Sequence, residues 1–104
     1  HIQISNRSMP AKMDDISVSG FGFTIEGIDE SYLDVLEGQN DFFVEMQLDD
    51  NRVISHVKKI WTLRKKAQKG IVLVGGVSFD ILSIEDRQVI QKFVDKLHMV
   101  HGNL

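Results

Sequence analysis

The chain has 104 residues, of which 42% are hydrophobic and 26% are charged, and its formal net charge at pH 7 is -3. This composition is typical of one small soluble domain with a single core, and without a basic surplus a general nucleic-acid groove is not expected. The chain contains no cysteine, which excludes disulfides and thiolate metal sites. No apolar run approaches the roughly 20 residues that a membrane-spanning helix needs. We therefore expect a cytoplasmic domain with no DNA partner and no direct membrane insertion.

The first half of the chain alternates between apolar and polar residues, which is typical of strands. We predict strands at residues 2–4, 9–15 and 20–26. Pro10 places the second of these at a sheet edge, because proline cannot donate a ladder hydrogen bond. In the third strand Phe21, Phe23 and Ile25 share one face. One helical turn closed by Gly38 is expected within the irregular stretch that follows.

The second half continues the alternation and then changes period. We predict three further strands, at residues 42–48, 52–63 and 71–81. Neither face of the middle one is uniformly apolar, which predicts a bulge or contacts on both faces. Gly75 and Gly76 predict a sharp bend in the last strand. Residues 64–70 are expected to form a charged hairpin loop.

The tail has the pattern of one amphipathic helix. Ser83 and Asp86 form a capping-box-like start, and Gly102 ends the pattern. Apolar positions recur at i, i+3, i+4, i+7 and i+11, at Ile90, Phe93, Val94, Leu97 and His101. Such a helix needs an apolar surface to cover. The predicted fold is therefore mostly β: a small antiparallel β-barrel with a C-terminal α-helix packed on it, forming a single domain over residues 1–104.

The stretch "DISVSG", residues 15–20, is the strongest candidate for a binding site. On a strand, residues i and i+2 point to the same side, so the Asp15 carboxylate and the Ser17 hydroxyl converge. A carboxylate accepts two parallel hydrogen bonds, and the N1–H and N2–H₂ groups of guanine offer that pair of donors. Gly20 removes a Cβ where a ligand or a backbone comes close. These three residues predict a site that recognises a guanine edge.

A structural explanation of the same stretch remains open beside the functional one. Asp15 and Ser17 are also residues that bond the local backbone in turns, and Gly20 is also a residue that adopts a positive φ. The two interpretations differ in the expected effect of Asp15→Ala. A ligand-facing carboxylate has no structural bond to lose, so the substitution lowers affinity and leaves melting nearly unchanged.

The same residues resemble the signature of a known family. "DISVSG" matches the D/N-x-S-x-x-G signature of the PilZ domain, which binds the bacterial second messenger cyclic di-GMP. Further segments are similar to the family's strands and closing helix, with Gly76, Val77 and Phe79 in its G-V-x-F pattern. These segments are "LEGQNDFFVEMQL" (36–48), "VISHVKKIW" (53–61) and "VGGVSFDILSIEDRQVIQKFVDKL" (74–97). The resemblance implies a six-stranded split β-barrel, PilZ-like, with its helix packed on it.

The resemblance also implies a function, and one of the family's binding motifs is missing from this sequence. In the family the matching Asp, Ser and Gly contact a guanine, and these are Asp15, Ser17 and Gly20 here. The family's R-x-x-x-R motif, whose arginines bind phosphate and the guanine O6/N7 edge, is absent, since Arg7 stands alone. Either the arginines lie upstream of His1 or the domain never had them. The start at His1, directly on strand-like residues, leads us to expect a fragment of a longer protein.

Trp61 and a basic cluster are further candidates. Trp61, the only Trp, could stack on a purine, or it could be a core or half-core residue. Lys58, Lys59, Arg64, Lys65, Lys66 and Lys69 form a basic cluster within an acidic chain. This cluster attracts a dianionic ligand or an acidic partner, or is simply a solvated hairpin tip. The candidate ligand site is thus Asp15, Ser17, Gly20 and Trp61.

No catalytic or metal site is predicted, and no cofactor besides the ligand cyclic di-GMP. No candidate base has a partner, and His98 and His101 lack a third metal ligand. The leading hypothesis is a non-catalytic module that binds cyclic di-GMP and relays the event to an attached or partner output domain of motility or exopolysaccharide machinery. The alternative is a PilZ-like domain without nucleotide binding that docks proteins through an exposed apolar patch near Phe43 or Tyr32.

Overall fold

The computed structural model describes residues 2–4, 7–26, 30–68 and 70–102, and these residues are mostly β-structure. The elements among them are β1 (Ile2–Ile4), β2 (Arg7–Met9), β3 (Lys12–Ile16), β4 (Gly20–Ile25), α1 (Glu30–Gly38), β5 (Asp41–Leu48), β6 (Asn51–Ala67), β7 (Gly70–Ile81) and α2 (Ile84–Gly102). All strand pairings are antiparallel. The mostly β fold with a C-terminal helix is therefore confirmed.

The strands form one sheet in the order β2-β1-β5-β6-β7-β4-β3, and the connection between its two edges forces it to curl. In a flat sheet of seven strands spaced at the usual interval, β2 and β3 would lie about 29 Å apart. Only Pro10 and Ala11 separate them in the chain, and three Cα–Cα steps span at most about 11 Å. The sheet therefore curves into an open half-barrel whose edges meet near Pro10.

Proline also explains the difference in strand number. The additional strand is β2, which contains Arg7 and Ser8, two residues expected to form a turn; of the strand predicted at residues 9–15, only Met9 belongs to β2, and the rest begins at Lys12 as β3. Pro10 has no N–H to donate, so the ladder is interrupted there. The described residues thus contain seven strands instead of six. The charged hairpin loop predicted at residues 64–70 is mostly strand in the structure, because β6 continues to Ala67.

The core lies on the concave face of the half-barrel and under α2. The predicted inward faces of β4 and β5 are confirmed, because their apolar residues alternate with more exposed ones. Ile90 and Val94 of α2 are buried against the sheet. The buried core also contains Met9, Phe21, Phe23, Ile25, Leu33, Leu36, Phe42, Val44, Met46, Leu48, Val53, Val57, Leu73 and Val77. Burial of these apolar side chains is the main force that holds the curled sheet together.

Helix α2 begins after Ser83 and ends at Gly102, as the sequence predicts, whereas α1 ends at Gly38 as predicted but is longer than expected. The Asp86 N–H donates to Ser83 Oγ at 3.1 Å, which satisfies one unpaired amide in the first turn of α2. The side chain of His101, assigned to the apolar stripe, lies outside the described residues. The predicted single turn before Gly38 is a nine-residue helix, α1. Neither helix, over the residues described, is long and apolar enough to cross a membrane.

Candidate functional site

Four residues predicted from the sequence line one groove. Asp15, Ser17 and Gly20 come from the end of β3, the following turn and the start of β4, and Trp61 comes from the middle of β6. The groove has a volume of about 430 Å³. This falls in the range of roughly 300–1,000 Å³ that small-molecule sites occupy. We call it the Asp15 groove.

The Asp15 carboxylate is positioned by a bulge and by a backbone bond. The pairing of β3 with β4 shifts between Met13 and Asp15, so that Asp15 faces Gly22. The Gly22 N–H donates to Asp15 Oδ1 at 2.7 Å. Asp15 Oδ2 has no hydrogen-bond partner within the described parts of the chain. One carboxylate oxygen thus holds the side chain in place while the other can accept a ligand donor.

The neighbouring Asp14 does not share this role. Its Oδ2 accepts a hydrogen bond from the Thr24 hydroxyl at 2.5 Å, outside the Asp15 groove. The register shift between Met13 and Asp15 interrupts the alternation of faces here, so Asp14 and Asp15 are both exposed and differ in their partners. Asp14 is therefore a matched control for the carboxylate of Asp15.

The Ser17 hydroxyl is part of a tight turn. The Ser17 N–H donates to the Gly20 carbonyl at 2.8 Å. Ser17 Oγ accepts from the Ser19 N–H at 3.3 Å and lies 2.9 Å from Ser19 Oγ. These are the local bonds that the structural explanation predicts, and Asp15 makes one too. The side chains of Ser17 and Ser19 are exposed at the Asp15 groove, so the turn presents two adjacent hydroxyls to it.

Gly20 allows two backbones to approach closely. A Cβ at this position would overlap the Val77 carbonyl oxygen of β7. Among the described residues the positive φ angles belong to Asp49 and Gly70, so the expectation of a positive φ at Gly20 is wrong. The need for glycine arises from strand packing, and it lets the turn lie against β7.

Trp61 owes its position to the bulge predicted for its strand. The pairing of β6 with β7 shifts between Lys59 and Trp61, and as a result Ile60 and Trp61 both face solvent, at 66% and 50% exposure. The indole packs on Gly76, where an added Cβ would lie 2.5 Å from Nε1. Trp61 is therefore not a core residue. One part of the ring rests on glycine backbone and the rest borders the groove.

The charge of the groove limits what it can bind. Asp15 is the one ionisable residue among the described residues that line it. The opposite wall is apolar and includes Ile60, Trp61 and Val77. A carboxylate, several hydroxyls and an indole suit a flat ring with hydrogen-bond donors at its edge. Phosphate groups would have to be neutralised by cations beyond this wall.

No described member of the basic cluster lines the Asp15 groove, and three of them, Lys58, Lys59 and Arg64, bond to β7 or α1. Arg64 Nε donates to Glu37 Oε1 at 2.5 Å, and Arg64 also pairs with Asp34. These bonds, that to Glu37 first, raise the pKa of Arg64 above its ordinary value. Lys59 Nζ donates to the Glu37 carbonyl oxygen. Lys59 and Arg64 therefore hold α1 against β6. Lys69, another member of the basic cluster, lies outside the described residues.

A second surface, on the outer face of the sheet, is apolar. Register places Phe43 opposite His56 and His56 opposite Ile81. Phe43 and Ile81 are 56% and 78% exposed, and the Phe43 ring centre lies 5.0 Å from that of His56. The His56 Nδ1 lies 2.9 Å from Asp80 Oδ2. This bond, before a weaker contribution from Lys58, lowers the pKa of the Asp80 carboxyl.

Several groove residues were not predicted. Ser19 and Ser78 add hydroxyls, and Gly22 and Gly76 hold Asp15 and Trp61. The glycines were visible in the sequence, but their partners depend on two bulges that shift the strand register. No group of three or more metal-binding side chains occurs in the part of the chain that the structure describes.

Comparisons with known proteins add no relative. No family model matches the chain, and neither a curated protein nor a solved structure matches it. The functional argument therefore rests on the geometry and chemistry of the groove.

Proposed function

We propose that this chain is a PilZ-type, non-catalytic module that binds cyclic di-GMP in the Asp15 groove. The open sheet with its C-terminal helix would then be a split barrel of that family, and the bound messenger would be reported to an attached or partner domain. The observation that supports this is the meeting of the signature residues Asp15, Ser17 and Gly20 with Trp61 around one groove.

The chemistry of recognition follows from the two walls. The Asp15 carboxylate accepts hydrogen bonds from the guanine N1–H and N2–H₂ groups, one of them at Oδ2, which has no partner among the described residues. The base stacks on the exposed part of the Trp61 indole, a contact worth about 1–3 kcal/mol in nucleic-acid systems. Ser17 and Ser19 offer hydroxyls beside the carboxylate. The phosphates are held by cations from outside the groove.

The test is calorimetry with cyclic di-GMP, supported by the fluorescence of Trp61, which is the only Trp in the chain. It is run on this chain and on any longer chain that its gene encodes. We expect Asp15→Ala to weaken binding at least tenfold, as loss of a charged hydrogen-bond acceptor of about 1.5–3 kcal/mol implies. Asp14→Ala, the matched control, should bind like the unmodified chain.

Two results would overturn the proposal. One is no heat and no fluorescence change at 1 mM messenger, a concentration about tenfold above a weak Kd of 0.1 mM, with the fold intact in both chains. The other is equal binding of cyclic di-AMP, because adenine offers no N1–H and N2–H₂ donor pair to the carboxylate.

The outer apolar surface favours a second candidate, a protein-docking module. Phe43, Ile54 and Ile81 are each more than half exposed and surround His56, whereas Tyr32 is half-buried. Scattered exposed apolar residues are ordinary, but a contiguous patch marks an interaction surface. Under this candidate Phe43→Glu abolishes capture of a partner while Asp15→Ala leaves it unchanged. Loss of capture with Asp15→Ala and not with Phe43→Glu would exclude it.

A further inference from the structure

Two basic side chains flank the bulge of β6 that presents Trp61. The extra residue of this bulge is Ile60, which has no partner in the pairing of β6 with β7. Lys59 comes directly before it, and Arg64 lies three residues after Trp61. Lys59 and Arg64 are half-buried, whereas Ile60 and Trp61 are exposed. The two basic side chains therefore lie on the face of β6 that is turned away from the Asp15 groove.

Both basic side chains end at one residue of α1, Glu37. Lys59 Nζ donates to the Glu37 carbonyl oxygen, and Arg64 Nε donates to Glu37 Oε1 at 2.5 Å. Arg64 also pairs with Asp34, about one turn earlier in α1. The Lys59 N–H donates to the Asn40 carbonyl oxygen at 2.8 Å. The bulge is thus tied on both of its sides to residues 34–40.

Helix α1 is a firm support for these contacts because its apolar side belongs to the core. Leu33 and Leu36 are fully buried. The last carbonyl groups of a helix have no partners within the helix, and a cation is favourable beside them. The last turn of α1 contains no basic residue, so Lys59 of β6 supplies that cation at the Glu37 carbonyl oxygen. The same contact therefore stabilises the end of α1 and one side of the bulge.

The position of the bulge decides which way Trp61 points. Val57 is buried and Trp61 faces solvent, although residues four apart in a regular strand share a face. The strand therefore needs one extra residue between them, and in the structure this is Ile60. An extra residue placed after Trp61 instead would leave the indole on the inner face with Val57, away from the Asp15 groove.

We propose that Glu37 is a positioning residue for the Asp15 groove. By holding Lys59 and Arg64, it keeps the extra residue at Ile60 and the Trp61 indole at the groove wall. None of the residues of α1 lines the groove, so Glu37 acts through β6 alone. The effect on ligand affinity rests on the proposed function, whereas the effect on the surroundings of the indole does not.

The test follows Trp61, the only Trp in the chain, in the folded protein without ligand. Glu37→Ala removes the carboxylate and keeps a good helix former, and Arg64→Met removes the guanidinium and keeps an apolar stem. Trp61 is 50% exposed, so freeing the indole should raise acrylamide quenching of its fluorescence by up to about twofold in both variants. The Kd for cyclic di-GMP should rise about fivefold, as loss of a weak stacking contact implies.

Three controls separate positioning from a general loss of stability. Lys66→Met removes a charge from the exposed far end of β6 and should leave the quenching of Trp61 unchanged. Glu37→Gln keeps an acceptor oxygen for Arg64 and should restore most of the protection that Glu37→Ala loses. The double variant of Glu37→Ala with Arg64→Met should show no more quenching than either single variant, because both remove the same contact.

Two outcomes overturn the proposal. One is unchanged quenching in the folded Glu37→Ala and Arg64→Met variants, even if they unfold at lower urea, because the contacts of α1 would then support only the fold. The other is an equal rise in quenching for Lys66→Met. If either main variant does not fold, Lys59→Met, which leaves Arg64 and its acidic partners in place, gives the same comparison. Failure of the cyclic di-GMP proposal is distinct, since it appears as no binding to the unmodified chain.

Discussion

The two concavities lie at opposite ends of β3 and are built in different ways. The Asp15 groove, beside Asp15 and Ser17, uses exposed polar side chains that local main-chain bonds hold in place. The second concavity, beside Ala11 and Met13 at the start of β3, uses buried apolar side chains such as Phe21 and Phe23. The difference teaches that the polar side chains of the groove can be changed at small cost in stability. The buried apolar side chains of the second concavity also belong to the core, so changing them lowers stability as well.

The largest loss of stability should come from the second concavity. Met46 of β5 is 7% exposed and lines this concavity. We expect Met46→Ala to lower the free energy of unfolding by about 2–5 kcal/mol, because it removes buried apolar contacts and leaves a cavity. Urea unfolding measures this. Gln47→Ala, on the exposed face of the same strand, loses its hydrogen bond to the Asp49 carbonyl oxygen and should cost at most about 0.5–1.5 kcal/mol, and a loss equal to that of Met46→Ala would contradict the distinction.

Substitutions at two glycines, Gly20 and Gly22, distinguish an effect on strand packing from an effect on the Asp15 groove. Gly20→Ala places a methyl group on the Val77 carbonyl oxygen, so we expect a loss of about 1–3 kcal/mol from forced backbone shifts. Gly22→Ala meets the Asp15 carboxylate instead, at 2.6 Å, and a side chain can rotate away. Gly22→Ala should therefore unfold at higher urea than Gly20→Ala while binding ligand more weakly than the unmodified chain. The reverse order of unfolding would show that β4 and β7 are not in close contact.

Asp15→Ala tests how far the groove is independent of the core. The sequence analysis expected no structural bond to be lost, but the Gly22 N–H donates to this carboxylate. We therefore expect a loss of about 0.5–1.5 kcal/mol in urea unfolding, the usual net value of one hydrogen bond. Asp14→Ala loses a comparable bond to Thr24 and serves as the reference. A loss several times larger for Asp15→Ala would mean that the carboxylate is mainly structural.

The smallest effect concerns Asp80, which touches neither concavity. Its hydrogen bond with His56, and next the bond with Lys58, holds the pKa of Asp80 below the ordinary value of 3.8. A carboxyl whose folded pKa is lowered stabilises the fold above its unfolded pKa, and this contribution is lost as pH falls through the folded pKa. Thermal melting of Asp80→Asn should thus depend less on pH below about 4 than that of the unmodified chain. Identical pH profiles would show that the pair with His56 does not form in solution.

Local pattern was sufficient for the faces of the strands and for the start of α2. Phe23 and Ile25 alternate with smaller or polar neighbours, and a period of two places them inward wherever the strand lies. Ser83 caps α2 through a bond that spans three residues. The uneven faces of β6 predicted a bulge, and the register shift before Trp61 confirms it. Signals of this kind involve residues close together in the chain.

Longer-range features were not predictable from the pattern. Whether Pro10 interrupts a strand or lies on its edge depends on the partner strand, and the sheet is interrupted there. The hydrogen bond from Gly22 to Asp15 requires the shift in register between β3 and β4. Each depends on which strands become neighbours when the sheet curls.

The sequence by itself therefore determined the alternating strands, the capped final helix and the presence of a carboxylate, a hydroxyl and a glycine within six residues of chain. Tertiary structure decided that Trp61 joins them, because two bulges and the packing of the indole on Gly76 bring distant strands to one groove. It also decided that β3 and β5 do not pair with each other among the described residues. The physical reason is that side-chain direction follows from local periodicity, whereas strand neighbours and register follow from burial of the whole core.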